Sequence, residues 1–145
     1  KGIGQQMKWS VRDESLHSKM GCKLFRQMCS EDNQLLNLCR SDVIAAAETM
    51  VQLEIKYIDK MFEMGDIEGI SANDLQHFIK KRTNEKLVEL GYVDLGSYFA
   101  YDVKAAANLD WFYHLTGGVT HTDFFAIRPT DYSKAGEGED YEDIW

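Results

Sequence analysis

The sequence predicts an all-α fold, a bundle of long helices with one core. Its 145 residues hold a single proline, Pro129, near the C-terminal end, so little in the body of the chain would break a helix. Leu36, Cys39, Val43, Ala46, Met50, Leu53 and Tyr57 recur at alternating steps of three and four, the seam of a helix packed lengthwise on its neighbours. With 44% hydrophobic residues the chain is long enough for one domain with a core, and nothing requires a second.

The elements follow in order. A first helix is expected from about Gly2 to Cys29 and a second from about Asn33 to Met64, closed by Gly65 in the run GDIEG. Ser71 then offers an N-cap with Asp74 at the third position, opening a helix that stops before Gly91. Leu75, Ile79, Leu87 and Leu90 give that helix its apolar stripe. A short helix is expected around Ser97 to Val103, followed by the aromatic run WFYHLTGG. The last dozen residues are rich in Gly, Asp and Glu, the composition of a segment that stays mobile unless a partner orders it.

Twenty-four acidic against 16 basic residues give a formal charge of −8, which argues against a nucleic-acid surface and leaves no polybasic patch for a membrane. Cys22, Cys29 and Cys39 form no CxxC pair, and their odd number suits reduced thiols used as small core fillers in a cytoplasmic protein. No stretch approaches the roughly 20 apolar residues of a membrane span, and KGIGQQMKW does not read as a signal peptide.

One stretch of the first helix breaks its own pattern. At about 100° per residue, Ile3, Met7, Ser10, Glu14, His17, Gly21, Leu24, Phe25 and Met28 share one arc, with an acid and an imidazole at its centre. A carboxylate buried there without a partner would cost several kcal/mol. Two readings meet that requirement. Glu14 and His17 at i, i+3 can converge on one point, like the Glu-x-x-His pairs of carboxylate-bridged metal bundles, and mixed carboxylate and imidazole donors suit iron or manganese. The same two residues can equally form a hydrogen-bonded core pair.

Other candidates are plainer. Asp13, at the edge of the arc, is either an exposed helix acid or a carboxylate that takes the free N–H of a ligating histidine on a neighbouring helix. Asp74 and His77 repeat the acid-imidazole spacing, but Asp74 lies in a first helical turn and His77 off the apolar stripe, which makes both surface residues. His114 and His121 lack ligand spacing and read as structural.

The run WSVRDESLHSKMGCKLF resembles the segment of the small (beta) subunit of class I ribonucleotide reductase that carries its second Glu-x-x-His motif, in the form Arg-Asp-Glu-x-x-His. The stretch from AAAETMVQLEIKYIDKMFEMGDIEGI through LVELGY is similar to the helices that follow in that family, and NLDWFYHLTGGVTHTDFFAIRPTDYSKA resembles its closing segment. The resemblance implies a ferritin-like bundle of which this chain is the C-terminal portion. Residues 1–128 would be the C-terminal part of the metal-binding bundle, and 129–145 a flexible acidic tail that docks to the large (alpha) subunit.

By the same resemblance, Glu14 and His17 are ligands of a dinuclear metal centre (Fe/Fe, Mn/Fe or Mn/Mn), and Asp13 is the aspartate linking that centre to the electron and proton path. Tyr132 in PTDYSKA would relay the radical toward the large subunit, with Tyr141 in EDYEDIW as its competitor. The family's earlier part, which supplies an aspartate, the first Glu-x-x-His and a further glutamate, has no counterpart here. The chain therefore reads as a fragment or one half of a split subunit, expected to be inactive alone, to need the N-terminal half as partner and to form a homodimer as the assembled small subunit. Without that half, the apolar stripe of the first helix would lie exposed. Two other functions fit less of the sequence: a different ferritin-like di-metal oxidase, which needs neither tail nor relay tyrosine, and a non-catalytic helical interaction module.

Overall fold

The computed structural model describes residues 2–65 and 67–111. His114, His121, Tyr132, Tyr141 and the whole 129–145 tail lie outside the described residues. The chain begins with α1 (Gly2–Glu31), turns through the single-turn helix α2 (Leu35–Leu38), and continues as α3 (Arg40–Met61). It then forms α4 (Ala72–Leu90), a 3₁₀ turn (Val93–Leu95) and α5 (Val103–Ala107). Among the described residues the only β pairing is an isolated bridge between Ile67 and Ile70.

The sequence accounts for most of the boundaries. Asp32 Oδ1 accepts the backbone N–H of Gln34 at 2.9 Å, the side-chain turn that ends α1 and sends the chain back. Asp42 in the first turn of α3 and Lys60 in the last complement its dipole. Ser71 Oγ accepts the N–H of Asp74 at 3.1 Å, the expected N-cap of α4. Gly91 closes α4 with φ of 112°, a left-handed conformation that a side chain would strain. The short helix is displaced from its expected place: 97–102 is not helical, and α5 starts at Val103 because Asp102 Oδ1 caps it, accepting the N–H groups of Lys104 (2.7 Å) and Ala105 (2.9 Å).

The core lies where α1, α3 and α4 meet the 3₁₀ turn. Ala47, Leu87, Tyr92 and Leu95 form its centre, with Phe25, Leu36, Val43, Ile44, Leu90 and Phe99 packed around them. Burying a Leu87 or Ile58 side chain contributes about 1.5–3 kcal/mol, so a handful of such residues carries the assembly. Tyr92 ties three elements together: its hydroxyl donates to the Leu36 carbonyl (2.9 Å), its ring lies 6.3 Å from that of Phe25, and the Arg40 guanidinium sits 5.7 Å over it. Arg40 in turn pairs with Asp94.

The seam expected along α3 is only half right. Leu36 and Val43 pack on the core, but Ala46, Met50, Leu53 and Tyr57 are exposed, while Ala47, Val51 and Ile58 face inward. The inward face is rotated from the expected one by about one residue, or 100°. Both faces of α3 are apolar, so periodicity alone could not choose between them; α4, which packs against α3, selects the face that is buried. Of the three cysteines, Cys22 is buried and the other two are half-buried, so the core-filler reading holds fully for Cys22 alone.

Candidate metal centre

Helix α1 places the acid and the imidazole together. Glu14 Oε2 lies 3.8 Å from His17 Nδ1, one helical turn apart as the spacing requires. Both side chains are open to solvent, Glu14 by 76% and His17 by 69%. Among the described residues nothing covers them, so they do not form a buried core pair there, and the face lies open, the state expected of the first helix without the N-terminal half. On the helix wheel Glu14, His17, Gly21, Leu24 and Met28 fall within about 80°, centred about 90° from the side on which Cys22, Phe25 and Cys29 pack. Leu24 and Met28 are 63% and 48% exposed, so an apolar strip flanks the two polar groups.

Asp13 stands beside this face, exposed, about 40° from His17 on the wheel. It makes no hydrogen bond or ion pair with a described residue. Tyr132 lies outside the described residues and is not placed relative to the pair.

One carboxylate and one imidazole make a donor pair of the kind that iron and manganese take, but they are two ligands and not a site. Among the described residues no group of three or more His, Cys, Asp or Glu side chains comes together. The donor types present suit such an ion, and among the described residues no third ligand joins them. Burial pushes the Cys22 and Cys29 thiols up from the ordinary thiol value.

The second acid-imidazole pair is structural, although not the surface pair expected. Asp74 and His77 are half-buried. His77 Nδ1 accepts the N–H of Asp102 (3.0 Å) and Asp74 Oδ1 accepts from Asn108 Nδ2 (3.1 Å), so both fasten α5 to α4. Lys81 Nζ adds a 2.8 Å contact to Asp110, and its pKa is raised first by that hydrogen bond.

Sequence reading missed the residue that fixes this end of the molecule. Asn84 is buried at 2% exposure and grips the backbone of Phe99 with both ends of its carboxamide, donating to the carbonyl (2.9 Å) and accepting from the N–H (3.0 Å). Asn84 falls about 60° beyond Leu87 on the wheel, outside the apolar stripe of α4, so the helix pattern carried no signal for it; its burial rests on the two bonds to Phe99.

Residues 1–96 match the family model described as ribonucleotide reductase, small chain. Over 93% of its length the chain is 33% identical to a probable ribonucleoside-diphosphate reductase small subunit of Invertebrate iridescent virus 3, covering 35% of that protein. It is 26% identical over its full length to a protein of the same description from Invertebrate iridescent virus 6, covering 46% of it. With the ribonucleoside-diphosphate reductase subunit beta of Chlamydia pneumoniae it shares 23% identity over 93% of its length and 37% of that protein. The chain thus spans between about a third and a half of the length of the curated relatives it matches. No solved structure matches.

Proposed function

Because this chain belongs to the ribonucleotide reductase small-chain family, whose fold is a ferritin-like helical bundle, we propose that it works as the C-terminal portion of a radical-generating small subunit. In this reading Glu14 and His17 hold part of a dinuclear metal centre, and the remaining ligands come from the N-terminal part of the bundle. The observation that carries it is the exposed convergence of Glu14 and His17 within an apolar strip of α1. A solvated acid-imidazole pair flanked by Leu24 and Met28 is a poor end state for a helix, and a good one for a helix awaiting neighbours that bring both apolar cover and a cation.

When bound, the metal pair supplies the one-electron oxidising capacity from which the radical derives. The residues of this chain bind it and lead away from it. Asp13 orients a ligating imidazole on a neighbouring helix through its free N–H, and Tyr132 carries the radical onward. The acidic C-terminus ending in DYEDIW docks to the large subunit, where ribonucleotides are reduced to deoxyribonucleotides. The assembled small subunit is a homodimer. No helix among the described residues is long and apolar enough to cross a membrane.

The test is turnover. The chain, co-expressed with an N-terminal bundle half and mixed with a large subunit, should reduce a ribonucleoside diphosphate, and Tyr132→Phe should abolish turnover while leaving metal content intact. Metal binding with turnover unaffected by Tyr132→Phe and by a stop after Ala135 would instead indicate a self-contained oxidase. Assembly without metal would indicate an interaction module.

A further inference from the structure

Lys19, Lys23 and Arg26 form a row on α1 that the metal-centre reading does not use. At about 100° per residue they fall within about 60° of one another, on the side of the helix opposite Glu14, His17 and Met28. All three are exposed, and none makes an ion pair or hydrogen bond with a described residue. The i, i+4 and i, i+3 spacings set like charges against each other along the row, which is unfavourable for the helix unless something negative lies across it.

The row edges a groove of about 360 Å³ that Cys22 and Ser30 also line, with Glu89 of α4 opposite. Glu89 does not neutralise the row, because Lys86 Nζ takes up its carboxylate at 2.6 Å. The groove is therefore a net cationic slot in a chain whose formal charge is −8. Five of the chain's carboxylates, Glu137, Glu139, Asp140, Glu142 and Asp143, are concentrated between residues 137 and 143.

We propose that this groove is the seat of the chain's own acidic segment, residues 137–143, bound within the same molecule. The spacings agree: Lys19 and Lys23 are separated by about 6 Å of helix rise, and alternate residues of an extended peptide, such as Glu137 and Glu139, by about 6.7 Å. Reach is ample, since the segment from Trp111 to Glu137 can extend to about 85 Å. Because the row faces away from Glu14 and His17, the seat stays open when that face of α1 is covered. Its consequence is a tail held by charge, released by salt or by a partner that binds the same carboxylates better. This holds whatever the tail docks to elsewhere.

Zero-length carbodiimide cross-linking of the full chain at low ionic strength, mapped by mass spectrometry, tests the seat. Amide bonds should join Lys19 or Lys23 to Glu137, Glu139 or Asp140 about tenfold more often than to the exposed Lys56 or Lys104, and should fall about fivefold at 0.5 M salt. Arg26→Glu keeps both reactive lysines and should cut their yield severalfold. Equal yields at Lys56 and Lys104, or a yield indifferent to Arg26→Glu, would overturn the proposal. So would cross-links that form only between chains in a mixture of isotopically light and heavy protein.

Discussion

Glu14 and His17 stand 3.8 Å apart on α1, and more than two-thirds of each side chain faces solvent. This is a pair without surroundings: the helix supplies the convergence, and the described residues supply no cover. An apolar strip that includes Leu24 and Met28 runs along the same face, and on α3 the expected seam residues Met50, Leu53 and Tyr57 are exposed by 46%, 59% and 65%. Surfaces of this kind predict behaviour as directly as buried ones do.

The isolated chain should self-associate through these faces. Leu53→Glu with Tyr57→Glu should lower the aggregated fraction seen by light scattering, and in co-expression the same variant should recover about tenfold less of an N-terminal bundle half. A variant that neither improves solubility nor weakens recovery would show that the α3 face is not a contact surface.

Asn84 is expected to matter more to stability than any exposed charge. Asn84→Ala leaves the Phe99 N–H and carbonyl without their partners in a buried setting, and should destabilise the chain by about 2–4 kcal/mol in urea unfolding. Tyr92→Phe, which removes only the bond to the Leu36 carbonyl, should lose about 1 kcal/mol.

The capping residues predict smaller effects of known sign. Ser71→Ala removes the acceptor for the Asp74 N–H and should destabilise by about 1 kcal/mol. Gly91→Ala should cost about 1 kcal/mol or more, from backbone strain rather than collision, since the nearest atom to the added Cβ would be Leu36 Cδ1 at 3.5 Å.

Acid should weaken the fold through two aspartates. The Arg40 side-chain hydrogen bond holds the Asp94 carboxyl below its ordinary range, and the N–H groups of Ala105 and then Lys104 do the same for Asp102. Each is more acidic folded than unfolded, so its stabilising share is complete above the ordinary Asp range and is lost as pH falls through the lowered folded value. Unfolding midpoints measured from neutral pH down to acid should decline in that window, and Asp94→Asn should flatten part of the decline.

How much of this was legible in the sequence divides along physical lines. The all-α class, the cap at Ser71, the left-handed Gly91 and the i, i+3 convergence of Glu14 with His17 are local, set by residues within a turn of each other, and the sequence states them directly. The inward face of α3 depends on which neighbour is present, and a helix with apolar residues on two faces does not announce which one is buried. The start of α5 and the bonding of His77 depend on a contact across 25 residues, where the Asp102 N–H meets a ring nitrogen that looked like a surface group. What would cover Glu14 and His17 is not legible for the same reason: a wheel shows which residues share a face, not what lies against it.

The most direct test of the central claim is metal stoichiometry, with electron paramagnetic resonance, on the chain co-purified with an N-terminal bundle half. Two iron or manganese ions per assembled pair are expected, falling below one in Glu14→Ala and in His17→Ala while the halves still co-purify. Full metal content in both variants, or a stable pair that binds none, would contradict the assignment of Glu14 and His17 as ligands.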